Sequence, residues 1–215
     1  MNVLAIGAHF DDIELGCGGS VAAHALGGDN VFAYVATKSG YKNPAGNVVR
    51  DDGAALEEGR KAIEGILGAK LICGSFETFK LECSDALFRE MLNIIETNRI
   101  DLIYTHWRYD AHHDHSVLSK ATLHVARHVP RVLMYRSNWH DGAASFNPNF
   151  YVDISGFYDK KMQAIKCHVS EISRTSSKWI EYFANECVNA GHKAGVKHAE
   201  AFEVVRWLES LGREI

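Results

Sequence analysis

The 215-residue sequence lacks the features that mark several classes of protein. Its apolar runs fall short of the roughly 18 residues that cross a bilayer, so we expect no membrane span. Its formal net charge is −4, which provides no basic surface for nucleic acid and argues against a nucleic-acid partner. The amino terminus shows no charged start, apolar core and cleavage site, so we predict a cytoplasmic protein without a signal peptide.

Cysteine is sparse and scattered. The five cysteines are odd in number, and no two of them form a C-x-x-C pair. This pattern predicts neither a zinc ribbon nor a disulfide framework and favours free thiols in a reducing compartment. The hydrophobic share of 47% and the charged share of 23% are ordinary for a globular protein. At this length they predict a single domain over residues 1–215.

Strand-like and helix-like segments alternate along the chain. Strands are predicted at 3–8, 30–37, 70–74, 101–107, 132–136 and 150–155, and helices at 18–26, 51–67, 84–98 and 115–128. The chain from Tyr158 onward is predicted to be mostly helical. This alternation predicts βαβ units, and therefore a three-layer αβα, Rossmann-like fold with a mostly parallel sheet between helices. The glycine-rich stretch after the first strand is predicted to be a tight turn into a helix.

Ionisable side chains gather directly after two of the predicted strands. The first strand is followed by the sequence AHFDDIE, which holds His9, Asp11, Asp12 and Glu14. The strand at 101–107 is followed by HHDH at 112–115. Ligands of parallel sheets bind beyond the carboxyl ends of the strands, so we expect both clusters at one edge. Carboxylates this close repel one another, and a bound cation relieves that repulsion.

The two clusters together offer the ligands of a divalent metal. Imidazole and carboxylate groups without a nearby thiolate suit zinc or a similar ion with open coordination positions. Such an ion lowers the pKa of a bound water, a remaining carboxylate can take its proton, and a remaining histidine can hold an oxyanion. These groups therefore suffice for metal-assisted hydrolysis. Their spacing alone leaves open which residue has which role. The candidates are His9, Asp11, Asp12, Glu14, His112, Asp114 and His115.

Three motifs resemble the LmbE-like, or PIG-L, family of zinc-dependent N-acetylglucosamine deacetylases. AHFDDIELGCGG is similar to the A-H-P-D-D-x-E signature of this family, HHDH to its H-P-D-H motif, and AGVKHAEAFEVVR to its late G-x-x-x-A-E-A-F segment. The resemblance implies a hydrolase that removes an N-acetyl group from an amino sugar or glycoconjugate by attack of a zinc-bound water. Zn²⁺ is the implied cofactor, with Fe²⁺ as an alternative in the cell, and a small amino sugar is the implied substrate.

The resemblance also implies roles for individual residues. The implied zinc ligands are His9, Asp12 and His115. Asp11 would be the general base that takes a proton from the water. His112 would stabilise the oxyanion, and protonation of the departing amine is a second role open to it, with Asp114 orienting it from behind. Glu14 would hold the first loop or a ligand in place.

This sequence departs from the family pattern in three places. Phe10 and His113 stand where the two motifs have proline, so each loop loses the rigidity of a fixed φ. We do not expect His113 to be a ligand. The arginine that the family uses for substrate is missing from its usual helical position, and we expect Arg50 to substitute for it. Trp139, in a predicted loop at the edge of the sheet, is a second candidate for substrate contact.

Two alternatives to the deacetylase remain open. One is an N-deacylase or deformylase that acts on another amide. The other is a non-catalytic, metal-containing protein that binds a sugar, although binding alone does not require a spare base such as Asp11. The oligomeric state is also open, and a homo-oligomer is among the alternatives.

Overall fold

The computed structural model describes residues 1–175 and 178–209. Its strands are β1 (Asn2–Gly7), β2 (Asn30–Thr37), β3 (Tyr41–Lys42), β4 (Val48–Arg50), β5 (Lys70–Phe76), β6 (Leu102–His106), β7 (Arg131–Tyr135), β8 (Phe150–Asp153) and β9 (Ala199–Trp207). Its α-helices are α1 (Asp12–Leu26), α2 (Asp52–Arg60), α3 (Asp85–Thr97), α4 (His113–Val125), α5 (Tyr158–Ile165), α6 (Val169–Thr175) and α7 (Lys178–Ala194). A π-helical segment, Lys61–Leu67, continues α2. No helix within the described ranges is long and apolar enough to cross a membrane.

Seven of the strands form one sheet in the order β5-β2-β1-β6-β7-β9-β8. The first five of these are parallel to one another, and β9 runs antiparallel to both β7 and β8. The chain passes from β1 to β2 on one side of β1, whereas β6 lies on the other side. The loops after β1 and β6 therefore leave from the point where the strand order reverses, which is where ligands of such sheets bind.

The sheet is buried on both faces, as its nearly continuous apolar strands predict. Successive residues of β1 point to opposite sides. Val3 and Ala5 belong to a core with α1, α5 and the π-helical segment. Leu4 and Ile6 belong to a second core with α3 and α4. This arrangement confirms the predicted αβα fold with a mostly parallel sheet.

Two local predictions were wrong. The glycines after the first strand do not form a turn: they lie inside α1, which begins at Asp12 and has a kink at Cys17. A Cβ atom at Gly16 would lie 2.0 Å from the Tyr135 ring, and one at Gly19 would lie 2.8 Å from Ile154, so these glycines let the helix approach the sheet. The stretch around residues 39–48, predicted to be a loop, contributes a short hairpin of β3 and β4.

The prediction of a mostly helical tail was also wrong at its end. Ala199–Trp207 forms β9, because its β-branched and aromatic residues complete the sheet between β7 and β8. Glu200, in the AEAF part of the third motif, is therefore a strand residue. Residues 176–177 and 210–215 of the predicted tail lie outside the described residues.

A buried ion pair supplies hydrogen-bond partners for the backbone groups at the kink in α1. Glu200 accepts hydrogen bonds from the backbone N–H groups of Gly19 (2.9 Å) and Ser20 (2.8 Å). Lys161 Nζ donates to Glu200 Oε1 (2.6 Å) and to the carbonyl of Leu15 (2.7 Å). The backbone groups that the kink leaves unpaired thus receive charged partners, as buried backbone groups require. The pair ties together α1, α5 and β9.

We expect Lys161→Met to destabilise the protein strongly. Both Lys161 and Glu200 are almost fully buried, so removing the cation leaves an unpaired buried carboxylate, which costs about 3–5 kcal/mol. Urea unfolding followed by circular dichroism measures this loss. Lys80→Met, which breaks an exposed pair with Glu77, is the matched control and should leave the midpoint unchanged. Equal midpoints for the two variants would contradict a structural role for the buried pair.

Candidate active site

Candidate ligand atoms of three residues converge where the segments that follow β1 and β6 meet. His9 Nδ1 lies 3.2 Å from His115 Nε2 and 3.3 Å from Asp12 Oδ2. His115 Nε2 lies 3.1 Å from Asp12 Oδ1. His9 comes from the β1–α1 connection, Asp12 is the first residue of α1, and His115 lies in the first turn of α4. The structure therefore brings together the three residues that the resemblance implied as zinc ligands.

The spacing and chemistry of these atoms fit a zinc ion. Four ligand atoms at 2.0–2.1 Å from Zn²⁺ in a tetrahedron lie roughly 3.3 Å from one another. The three observed separations are close to that value, with His9 and His115 facing different oxygens of the Asp12 carboxylate. Two imidazole nitrogens and one carboxylate also match the donor set of catalytic zinc sites, which keep the fourth position for water or substrate. The same donors suit Fe²⁺.

Each candidate ligand is held from behind by a polar partner. His9 Nε2 lies 3.0 Å from Asp114 Oδ2, and His115 Nδ1 lies 3.2 Å from Asp110 Oδ1. Asp12 accepts hydrogen bonds from Ser137 Oγ (2.8 Å) and from the backbone N–H of His9 (2.7 Å). Carboxylates behind ligating histidines fix the ring orientation and make the ring nitrogen more basic. The cluster thus has the outer contacts of a metal site.

The contacts of Asp114 differ from those that the resemblance implied. Its carboxylate was expected to orient His112, but it reaches His9 and accepts from the backbone N–H groups of Phe79 (2.7 Å) and Leu81 (3.2 Å). Only the backbone N–H of Asp114 contacts the His112 ring, at Nδ1 (3.2 Å). The reason is the geometry of the first turn of α4, which directs the carboxylate of Asp114 away from His112, the residue that caps the helix.

The carboxylates give the cluster a strong preference for positive charge. Burial opposes the charged form of His9, but Asp114 and Asp12 outweigh burial and raise its pKa to about 9. Burial likewise opposes the charged form of His115, and Asp12 and Asp110 raise its pKa to about 10. Although burial raises the pKa of Asp12, the neighbouring His115 and His106 bring it well below its usual range. A divalent cation provides the same positive charge.

Asp11 faces the cavity from a strained backbone position. Its φ is +143°, a conformation that residues with a side chain rarely adopt. Arg50 holds this position: Nη1 donates to the carbonyl of Phe10 (2.9 Å) and lies 3.7 Å from Asp11 Oδ2. Burial, followed by repulsion from Asp12, raises the pKa of Asp11 to about 7. Asp11 is therefore a carboxyl group beside the candidate ligands that is not one of them.

A buried chain of polar groups supports Arg50. Its Nη2 donates to Glu58 Oε2 (3.1 Å) and to His168 Nδ1 (3.3 Å), and His168 Nε2 lies 2.9 Å from Glu14 Oε1. Glu14, expected to hold the first loop or a ligand, thus lies on the far side of this chain from the cluster. Its carboxylate holds His168, which contacts the guanidinium behind Asp11.

His112 stands beside the cluster as a neutral imidazole. Burial, together with the nearby His115 and His9, lowers the pKa of His112 to about 3. Since Nδ1 accepts the N–H of Asp114, the proton of the neutral ring resides on Nε2. His112 lines the cavity, so it can present an N–H donor there.

Two further histidines near the cluster have other partners. His106 stacks on the His115 ring at 4.0 Å, but its Nε2 accepts a hydrogen bond from the backbone N–H of Ala8 (3.0 Å). This bond occupies the lone pair that a metal would need. His113 is exposed, and its Nε2 contacts the carbonyl of Leu81 (3.0 Å). The expectation that His113 is not a ligand agrees with this contact.

The cluster opens into a cavity of about 320 Å³, within the range of small-molecule sites. Both candidates for substrate contact lie in its wall, with Arg50 buried and Trp139 partly exposed. The remaining wall comes from the β3–β4 hairpin, the loop after β5, the loop after β7 and helix α6. These side chains include Ser39, Tyr41, Phe79, Ser137, His140, Glu171 and Arg174.

Sequence reasoning missed Asp110, Ser137 and Phe79. Asp110 follows β6 shortly before the HHDH motif, so an acidic residue in that loop was a usable signal. Ser137 follows β7 at the same edge of the sheet as the ligands. Phe79 follows β5, and no motif or spacing distinguishes it from an ordinary loop residue.

Sequence comparisons relate the chain to known proteins. The profile of the PIG-L family, described as GlcNAc-PI de-N-acetylase, matches residues 4–126. The chain is 32% identical over 184 residues to the uncharacterized deacetylase YaiS of Escherichia coli K12, covering 78% of this chain and 90% of that protein. It is 26% identical over 221 residues to the diacetylchitobiose deacetylase of Thermococcus kodakarensis, covering 94% of this chain and 82% of that protein.

A structural comparison shows that the fold extends beyond deacetylases. The 4-carboxy-2-hydroxymuconate hydratase GalB from Pseudomonas putida KT2440 superimposes with a TM-score of 0.80 at 18% identity, covering 98% of this chain and 99% of that one. At this identity the likeness concerns the fold alone. A reaction has to be argued from the residues of the site.

We expect His115→Ala to abolish stoichiometric zinc binding, because it removes one of three converging donors. Zinc content after dialysis, measured by mass spectrometry, tests this. His124→Ala is the matched control: it deletes an exposed histidine in the last turn of the same helix, far from the cluster, and it should bind zinc like the wild type. Zinc retention by His115→Ala, or its loss from His124→Ala, would show that the site has been assigned to the wrong residues.

Asp114→Asn should weaken zinc binding by roughly 10- to 100-fold, the usual effect of removing a carboxylate behind a ligating histidine. The structural reason is the 3.0 Å contact between Asp114 and His9. A competition titration against a chelator of known affinity measures the change. If Asp114 acted through His112 instead, zinc affinity would stay at the wild-type value.

Proposed function

The chain belongs to the PIG-L family, and on that premise we propose that it is a zinc-dependent hydrolase that removes an N-acetyl group from an amino sugar. One observation carries this proposal. A carboxyl group and a neutral imidazole, those of Asp11 and His112, line the same cavity as the three converging donors without being needed as ligands. Metal binding alone does not require these two groups, whereas amide hydrolysis does.

His9, Asp12 and His115 would hold the ion. When bound, Zn²⁺ supplies Lewis acidity toward the amide carbonyl and makes a water molecule more acidic. The chain itself would fix the three donors in position. It would also hold the neighbouring polar side chains in hydrogen bonds, so that they do not bind the ion, and exclude other water from the buried side of the cluster.

Asp11 would act as the general base. It takes a proton from the water whose oxygen forms the new bond to the acetyl carbon. As the bond between carbon and nitrogen breaks, that proton can pass to the departing amine, which yields acetate and a free amino group. The Arg50 contact with the Phe10 carbonyl holds Asp11 in its strained position, so the carboxyl group is placed before the substrate binds.

His112 would stabilise the charge that develops on the amide oxygen. Its Nε2 proton is available because Nδ1 is occupied by the N–H of Asp114. Its lowered pKa keeps the ring neutral. The ring can therefore donate a hydrogen bond from Nε2 without placing a second positive charge beside the ion.

The comparisons support an acetylated amino sugar as the substrate. The family description names a GlcNAc-PI de-N-acetylase, and the relative from Thermococcus kodakarensis is named for diacetylchitobiose. A second candidate function is the removal of another acyl group, such as formyl, because a metal-activated water and a general base can attack either amide carbonyl. A non-catalytic sugar-binding protein is disfavoured, since it has no use for a strained Asp11.

We predict that the zinc-loaded protein releases acetate from N,N′-diacetylchitobiose or N-acetylglucosamine, and that Asp11→Asn slows this by on the order of 10²–10⁴-fold. The variant keeps the metal donors, so its zinc content should match that of the wild type. Parallel assays of acetate, formate and free amine, with a chelator and with zinc added back, measure the reaction.

Asp85→Asn is the control, because Asp85 is an exposed residue of α3 that pairs with Arg89. It should leave both activity and zinc content unchanged. Formate release without acetate release would favour the deformylase alternative. Full activity in the chelated protein, or in Asp11→Asn, would rule out the proposed mechanism.

A further inference from the structure

Phe79 occupies a backbone conformation that bulky residues rarely adopt. Its φ is +66°, in the left-handed region where glycine is favoured. The conformation allows the backbone N–H groups of Phe79 and Leu81 to donate to the two oxygens of Asp114, which holds His9. Glycine would make the same backbone contact with less strain. The phenyl ring therefore needs an explanation of its own.

The ring of Phe79 lies over the candidate active site and remains open to solvent. Its centroid is 5.4 Å from that of His112 and 6.5 Å from that of His9. Tyr41 meets it edge-on at 5.4 Å. The residue is nevertheless 52% exposed, so the ring contributes little to the apolar core. An exposed aromatic face beside the reacting groups is a typical feature of a ligand-binding wall.

The charged groups of the cavity wall are already paired. Among the described lining residues there are two guanidinium groups and no lysine. Arg50 is engaged by Glu58 at 3.1 Å, and Arg174 Nε donates to Glu171 at 3.0 Å. Glu171 in turn accepts a hydrogen bond from the Tyr41 hydroxyl at 3.1 Å. Apart from the candidate metal site, the described side chains of the wall thus offer aromatic surface but no unpaired guanidinium or ammonium group for a phosphate.

We propose that Phe79 is a specificity-determining residue that stacks on the apolar C–H face of a neutral N-acetylated pyranose. This inference rests on the proposed function and refines its substrate class. Stacking on the Phe79 ring selects an uncharged amino sugar over an acyclic acetamide, because the acetamide has no ring face to stack. The cavity wall also selects an uncharged sugar over a phosphorylated or nucleotide-linked one, which would need a free cation.

The test compares substrates within each variant of the zinc-loaded full chain. The probes are N,N′-diacetylchitobiose, N-acetylethanolamine as an acyclic acetamide, and the pair N-acetylglucosamine and N-acetylglucosamine 1-phosphate. Phe79→Leu keeps an apolar side chain without a flat face, and Phe79→Gly removes the ring while accommodating the positive φ. For both, the ratio of kcat/KM for diacetylchitobiose to that for N-acetylethanolamine should fall about 10-fold, mainly through KM.

Phe79→Trp restores an aromatic face and should recover most of the ratio. Trp207→Leu is the matched control, since Trp207 is an exposed aromatic residue of β9 that lies outside the cavity wall. Its ratio should equal that of the wild type. An unchanged ratio in Phe79→Gly, or a wild-type kcat/KM for the phosphorylated sugar above that for N-acetylglucosamine, would overturn the proposal.

Failure of the proposed function gives a different result. In that case the wild type hydrolyses none of the acetamides, and stacking is tested by calorimetric titration of diacetylchitobiose into the zinc-loaded protein. A Kd that rises about 10-fold in Phe79→Gly supports the stacking role without catalysis. Equal binding by the wild type and Phe79→Gly overturns it.

Discussion

The parallel pairing of β1 with β6 is the constraint on which the candidate site depends. It sets Val3 opposite Leu102 and Ala5 opposite Tyr104, so the two strands end side by side. His9 and His115, which are 106 residues apart in the chain, therefore meet within hydrogen-bonding distance. A slip of one residue in this register would turn the side chains of one strand to the opposite face. The apolar cores on both faces of the sheet thus fix the register that brings the candidate metal donors together.

The loops that carry the donors are fixed by specific contacts. Phe10 and His113 replace prolines of the family motifs, and each uses a group that proline lacks. The N–H of Phe10 donates to Ser39 Oγ at 2.9 Å, and its ring packs where Gly59 leaves space. The imidazole of His113 contacts a backbone carbonyl of the loop after β5 at 3.0 Å. The loss of two fixed φ angles is therefore compensated by hydrogen bonds and packing, which keeps Asp11 and the donors preorganised.

The sequence was sufficient to predict the layers, most strands and the meeting of the two ionisable clusters, because all three follow from local patterns combined with the edge rule for parallel sheets. The choice of His9, Asp12 and His115 as donors within these clusters came from the resemblance to the family. It was not sufficient for contacts that depend on an unrelated segment. The target of Asp114 is decided by two backbone N–H groups after β5, and backbone groups leave no mark in a sequence. The strand at Ala199–Trp207 was missed because its place is made by β7 and β8, which are distant in the chain. Tertiary context overrode the local pattern there.

The same fold holds a hydratase, so the chemistry of this chain has to come from its site and not from its sheet. In this site the metal donors and the substrate wall are physically connected. The loop after β5 donates two backbone N–H groups to Asp114, which orients His9, and the same loop presents the Phe79 ring to the cavity. We therefore expect a change in that loop to alter both the position of His9 and the shape of the cavity wall. This connection explains why a strained backbone at Phe79 can be retained. The residue both donates its N–H to Asp114 and presents its ring to the cavity. A relaxed backbone conformation would move that N–H away from the carboxylate behind His9.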